Sequence, residues 1–269
     1  MTDTPVRPVR IVVNDSGNAS YTNRLLVGTA CTGNVRIEWM QARYGQAIPI
    51  NWSMTTFLQA MGGYYPLRYQ VADAQNLIVQ EAVRQDYEWL LLHEHDVVLP
   101  LDAFVRFNRY MLAGTHPVVS GLYFSRSYPS DPMVFKMIGD SYATDWRIGD
   151  VVPVAAVPTG CVLIHMALIR AMYADSEEYA LNDIKVRRVF NTPREVWVNP
   201  ETGAYNCNTM TSDLDWCKRV IDGDYLRKAG WTTLADQAQP FLCDTGITCG
   251  HIEPDGRVYP DKKRLAEWR

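Results

Sequence analysis

The stretch Trp89 to Pro100, WLLLHEHDVVLP, decides how this chain is read. An apolar run breaks off into His93, Glu94, His95 and Asp96, four side chains that ionise or ligate metals, and a second short apolar run follows. Carboxylates at the end of a buried strand are costly unless they are paired. A metal ion or a cationic partner is the usual compensation, so the stretch reads as a strand ending in a site. In an extended segment residues i and i+2 share a side, which puts Glu94 with Asp96 and His93 with His95. Carboxylates facing the cleft make a hard-oxygen site for Mn²⁺ or Mg²⁺. Histidines facing it suggest zinc or a binuclear hydrolase. The hydrolase pattern HxHxDH fails, because Val97 and Val98 stand where its Asp and His belong.

Outward from this motif, strand and helix patterns alternate. Leu25 to Ala30 reads as a buried strand running into a loop, and VRIEWMQARYG as a helix closed by Gly45. Ile48 to Trp52 reads as a second strand, ADAQNLIVQEAVRQ as a helix capped by Asp73, and LDAFVRFNRYMLAG as a helix before the strand PVVSGLYF. VVPVAAVPTGCVLIHMALIRAMY gives a strand, a Pro-Thr-Gly turn, a strand and a helix. TSDLDWCKRVI is a short helix, and PFLCDTGITCGHI a late strand ending in His251. This order argues for an α/β fold, with a mostly parallel sheet, helices on both faces and ligands at the carboxyl ends of the strands. Residues 1–23 are expected to be a flexible leader, 24–255 one domain and 256–269 a basic tail. Residues 175–211 are expected to be an irregular specificity insertion.

Composition excludes several classes. The chain has 269 residues, 47% hydrophobic and 21% charged, an ordinary globular balance. No apolar run reaches the roughly 18–20 residues of a membrane span. MTDTPVRPVR has no apolar stretch behind its charges, so a cytoplasmic location is expected. Six cysteines without a CxxC pair support neither a zinc finger nor a disulfide framework. A net charge of −4 with no long basic tract argues against a nonspecific nucleic-acid coat, while a local basic groove stays open.

Six segments, DAQN, LLLHEHDVVLP, GLYFSRSYPSDP, VPTGCVLIH, SDLDWC and DTGITCGHI, occur in that order between Leu25 and Ile252. In that order the chain resembles the GT-A glycosyltransferases, in particular the compact glycosyltransferase-2-like enzymes of bacteriophages and their hosts. Two positions depart from the family pattern: Glu94 replaces the first Asp of D-x-D, and Ser212 stands where an acidic residue precedes Asp213. The resemblance implies a GT-A fold and a metal-dependent transfer of a sugar from a UDP-sugar to an acceptor hydroxyl, by inverting single displacement. It implies that Glu94, Asp96 and His251 hold Mn²⁺ or Mg²⁺, and that Asp213, with Asp215 as the neighbouring choice, is the base. Thr29, Ala30, Thr32, Gln75, Asn76, Glu94, His95, Arg126 and Gly160 are then expected around the donor.

The same resemblance implies a possible acceptor, 5-hydroxymethylcytosine in double-stranded phage DNA. Phosphate contacts are expected from Arg187, Arg188, Arg194, Lys218, Arg219, Arg227, Lys228, Lys262, Lys263 and Arg264, with Tyr179, Phe190, Trp197 and Tyr205 for a flipped base. A polysaccharide, lipid-linked or protein acceptor is the alternative. A nucleotide-sugar or glycan binding module without turnover is the non-enzyme alternative.

Overall fold

The computed structural model describes residues 24–139 and 141–268, together with the backbone of two short strands, β1 (Val12–Val13) and β2 (Ala19–Ser20), which pair antiparallel. The rest of the expected leader lies outside the described residues. From there the chain runs through β3 (Leu25–Gly28), α1 (Ile37–Tyr44), α2 (Met54–Gly62), α3 (Val71–Arg84), β4 (Trp89–His93), β5 (Val97–Val98), α4 (Ala103–Ala113) and β6 (Val118–Leu122). It continues with β7 (Val151–Val154), β8 (Cys161–His165) and α5 (Met166–Asp175). Two hairpins follow, β9 (Glu178–Leu181) with β10 (Ile184–Arg187) and β11 (Arg194–Val198) with β12 (Tyr205–Thr209). The last elements are α6 (Ser212–Asp222), α7 (Tyr225–Lys228), α8 (Thr232–Ala235), β13 (Phe241–Thr248), β14 (Gly250–Ile252), β15 (Val258–Tyr259) and α9 (Lys262–Leu265).

Six strands form the central sheet in the order β3-β4-β8-β6-β13-β7. β3 pairs parallel with β4, and β6 with β13. β8 is antiparallel to both β4 and β6, and β7 closes the edge antiparallel to β13. Four of the six strands, β3, β4, β6 and β13, therefore run one way, in keeping with a mostly parallel sheet, while β8 and β7 run against them. After the Pro-Thr-Gly turn, β8 runs between β4 and β6 and antiparallel to both.

Residue alternation divides the core in two. Leu26, Leu90, Leu92 and Ile164 face a cluster with Ile78 of α3, Met172 of α5 and Trp216 of α6. Leu25, Val27, Trp89, Leu91 and Leu163 face the other side, with Ala60 of α2 and Phe104 and Phe107 of α4. A sheet covered on both faces needs strands that are nearly continuous apolar runs, and LLVG and the first four residues of WLLLH are such runs.

Several local expectations are corrected. Ile48 to Trp52 is a turn and coil, and the helix α2 that follows is capped by Ser53, whose Oγ accepts from the Thr56 N–H at 3.1 Å. Helix α3 begins two residues before Asp73, whose carboxylate instead accepts from the Tyr179 hydroxyl at 2.6 Å. The insertion is two hairpins rather than irregular chain. The segment after residue 255 is packed: Tyr259 pairs with His251 in a small sheet, and the buried Trp268 stacks on Trp146 with ring centroids 5.4 Å apart.

Candidate functional site

Strand β4 ends at His93, and the next three residues make a turn closed by the Val97 N–H on the Glu94 carbonyl at 3.2 Å. The turn overrides the two-sided pattern expected of an extended segment. Glu94, His95 and Asp96 all line one cavity of about 430 Å³, while His93 points into the core and stacks on Trp39 at 5.2 Å. The His93 Nε2 lies 2.6 Å from the Val97 carbonyl, so that nitrogen carries the proton. Burial drives its pKa down to about 3, which keeps the ring neutral.

Strand β14 brings in His251. It pairs with β5 so that His251 lies opposite Val97, and the Ile252 N–H donates to the Asp96 carbonyl at 2.7 Å. The His251 Nε2 then stands 3.5 Å from the Asp96 Oδ2, too long for a good hydrogen bond. Its Nδ1 lies 3.0 Å from the Phe124 carbonyl, and its ring meets Tyr123 edge-on at 5.5 Å. The Arg126 Nη1 reaches the same Asp96 Oδ2 at 3.2 Å, and its Nε lies 3.8 Å from the Glu253 Oε1. Across the cavity, Thr211, Ser212 and Asp213 present the start of α6. A carboxylate there lies in the first turn, where the helix dipole favours negative charge.

The carboxylates differ in their electrostatics. Burial, reinforced by Asp96 and Asp213, pushes the Glu94 carboxyl up to about 7. Burial acts the same way on Asp96, but His251, His95 and Arg126 outweigh it and hold that carboxyl below its ordinary value. Asp96 is thus the stronger acid of the pair and Glu94 the weaker, and the Thr159 hydroxyl donates to the Glu94 Oε1 at 3.5 Å.

Among the described residues, no three His, Cys, Asp or Glu side chains form a group able to hold a metal ion, so Glu94, Asp96 and His251 are not a ready three-ligand cage. Two of them fit a metal differently. The Asp96 Oδ1 and the His251 Nε2 are buried atoms without a hydrogen-bond partner. One carboxylate and one imidazole, completed by substrate phosphates and water, resemble the way in which Mg²⁺ is bound at phosphate-handling sites.

The donor-side residues divide. Ala30 and Thr32 line the cavity, and the Thr32 Oγ1 lies 3.2 Å from the His95 Nε2. Thr29 is fully buried outside it. Gln75 lies underneath, donating to the Thr159 hydroxyl at 2.9 Å, and so positions Thr159 rather than facing a ligand. Asn76 is a correction: its amide donates to the Phe190 carbonyl at 2.9 Å and accepts from the Phe190 N–H at 2.8 Å, anchoring the insertion. Gly160 is also explained from within, since a Cβ there would lie 2.7 Å from the Tyr123 ring. Asp215 is held by Arg219 at 2.8 Å, which leaves Asp213 as the carboxylate on the cavity. Sequence reading missed Tyr69, Tyr123, Thr159 and Glu253. Thr159, within the Pro-Thr-Gly turn, and Tyr123, within GLYFSRSYPSDP, lay in segments that the sequence already singled out.

Most of the cations expected to meet DNA phosphates have partners within the chain. Arg187 donates to the Tyr173 and Ala174 carbonyls, and Arg188 pairs with Glu177. Lys218 pairs with Asp222, Arg227 with Asp224 and Asp236, and Lys228 with Asp175. Arg264 donates to the Ser130 carbonyl and pairs with Glu267. Arg194, Lys262 and Lys263 are exposed. Of the four aromatics, Phe190 is core, stacked on Trp216, and Tyr179 is tied to Asp73, while Trp197 and Tyr205 are 46% and 79% exposed on the second hairpin. A second cavity, about 610 Å³, lies between residues 128–130 and 257–267; it contains none of the residues expected at the donor, the metal or the base, and its lining includes Lys263 and Arg264 of the expected phosphate contacts.

No family model matches the chain, and no curated protein matches it. Among solved structures, the one described as the crystal structure of A197 from STIV aligns over 87% of this chain and 92% of its own, at 13% identity and a TM-score of 0.48. That likeness is too slight to carry an argument. No helix among the described residues is long and apolar enough to cross a membrane.

Proposed function

We propose that the chain is a GT-A glycosyltransferase that uses a divalent cation, Mn²⁺ or Mg²⁺, and a UDP-sugar. The observation that carries this reading is the meeting of Asp96 and His251, brought from distant segments to the end of β4 with one buried, unbonded atom each. Asp96 and His251 would hold the cation, which when bound neutralises charge gathering on the departing diphosphate.

The chain's own residues do the rest. Ala30, Cys31 and Thr32 give the donor a wall beside β3. Arg126 offers a planar fork suited to phosphate oxygens. Asp213 accepts the proton of the acceptor hydroxyl as that oxygen bonds to the anomeric carbon and the bond from that carbon to the diphosphate oxygen breaks. A single displacement inverts the anomeric centre. Glu94, with its carboxyl pushed up to about 7, carries its proton below neutrality and about half of the time at neutrality, and so adds less charge than an ordinary carboxylate to a site that must accept a diphosphate.

The acceptor enters past the second hairpin, whose bases at Thr192 and Thr211 line the cavity. Its exposed Trp197 and Tyr205 suit stacking on a base or a sugar ring. DNA carrying 5-hydroxymethylcytosine is one acceptor to assay and a glycan the other. Equilibrium binding of UDP with and without Mn²⁺ tests the donor half. UDP should bind tightly only with Mn²⁺, and Asp96→Ala should abolish that binding in a folded protein. Equal binding of UDP in chelator would remove the metal from the reading. Binding without release of UDP from UDP-sugars would favour the non-catalytic module.

A further inference from the structure

We propose that Arg126 is a tethered counter-cation: its guanidinium stands on Asp96 until a donor diphosphate draws it away and leaves that carboxylate to the metal. This rests on the glycosyltransferase reading above and adds an order to it.

Three observations lead there. First, the Asp96 Oδ2 is shared, with the Arg126 Nη1 at 3.2 Å and the His251 Nε2 at 3.5 Å. A divalent ion bound by Asp96 and His251 would face the guanidinium across one carboxylate, and like charges at that range repel. Second, the anions are the fixed partners. The side chains of Asp96 and Glu253 are 17% and 23% exposed, whereas that of Arg126 is 42% exposed on the open side. Third, Arg126 is held differently from the structural arginines. Arg219 and Arg264 are pinned by backbone carbonyls as well as carboxylates, while among the described residues Arg126 makes only its two ion pairs, one at 3.8 Å. Its backbone is firm by contrast: the neighbouring Ser125 N–H donates to the Asp131 carbonyl, and the Ser125 Oγ accepts from the Asp131 N–H, both at 2.9 Å. A fixed base with a weakly held fork is what a short swing requires.

A diphosphate gives that fork a better partner, because paired N–H donors match phosphate oxygens in bidentate fashion. Moving the guanidinium from Asp96 to the diphosphate removes a competitor from the metal site and adds a contact to the donor. By linkage, each ligand then promotes the other.

The test is Mn²⁺ binding followed by the paramagnetic resonance signal of the free ion, for wild type and Arg126→Gln, with and without UDP. Circular dichroism verifies folding. Without UDP, Arg126→Gln should bind Mn²⁺ about 10-fold or more tightly than wild type. In saturating Mn²⁺ it should bind UDP about 10-fold or more weakly. Arg126→Lys, which restores charge without the fork, should return Mn²⁺ affinity toward wild type and leave UDP binding weak. Unchanged or weaker Mn²⁺ binding by Arg126→Gln would overturn the counter-cation, and unchanged UDP binding would overturn the swing. Either result, with Mn²⁺ and UDP still binding together, spares the glycosyltransferase reading. No Mn²⁺ binding by either protein, even with UDP, overturns both.

Discussion

Tyr123 occupies the space that a side chain at position 160 would need: a Cβ on Gly160 would lie 2.7 Å from both the ring Cζ and the hydroxyl oxygen, and the Gly160 N–H donates to that oxygen at 3.2 Å. Tyr123 is buried and rests edge-on against His251. Gly160→Ala should therefore cost about 1–3 kcal/mol, the usual range for overpacking. It should also displace His251, so Mn²⁺ affinity in the presence of UDP should fall along with stability. Urea unfolding and metal titration of one preparation check both.

A second expectation concerns Asn76, whose buried amide satisfies both backbone groups of Phe190. Asn76→Ala strands a buried N–H and a buried carbonyl together, a loss of about 2–4 kcal/mol. Hydrogen exchange at Phe190 and along β11 and β12 should accelerate, because the base of the second hairpin loses its anchor. Unchanged exchange there would show that the hairpin is held from elsewhere.

The third follows from His93. Its folded pKa of about 3 lies below the ordinary 6.5, so the unfolded chain takes up a proton that the folded one does not. Stability from this group is complete above pH 6.5 and falls as pH drops toward 3. Each pH unit in that window costs about 1.4 kcal/mol. His93→Phe keeps a ring against Trp39 but cannot titrate. Between pH 7 and pH 5 it should lose about 2 kcal/mol less than wild type; parallel stability curves would contradict the assignment.

Asp213 and Asp215 should separate by kind of damage. Asp213→Asn should lower turnover by ~10²-fold or more with little change in stability, as loss of a general base does. Asp215→Asn releases Arg219, which also donates to the Val189 carbonyl, and should lower the melting temperature more than the turnover of the folded fraction. The reverse pattern would exchange their roles.

Much of the fold was legible because it rests on local patterns. WLLLH, the α3 and α4 periodicities and the Asp-rich start of α6 each appear where the residues suggested. Helix α2 was hidden by the alternation of Ile48, Pro49 and Ile50, although Ser53, three residues before Thr56, carried a capping signal. The β9–β10 hairpin was also signalled, by Asn182-Asp183 between two short runs, with Asn182 in the left-handed region at φ 53°. The reversed direction of β8 had no local signal, since strand direction depends on where a connection returns. The site divides likewise. Glu94, His95, Asp96 and Asp213 advertise themselves as charges at element ends. The pairing of Arg126 with Asp96 and Glu253, and the capture of Asn76 by Phe190, join residues over 25 positions apart and exist only once the chain has folded.

The most direct test of the account is release of UDP from a panel of UDP-sugars, with Mn²⁺ or with EDTA, for wild type, Asp96→Asn and Asp213→Asn. The account predicts release by wild type with at least one donor in Mn²⁺, none in EDTA, none from Asp96→Asn, and release reduced ~10²-fold or more by Asp213→Asn. Undiminished release in EDTA, or from Asp96→Asn in Mn²⁺, would contradict it.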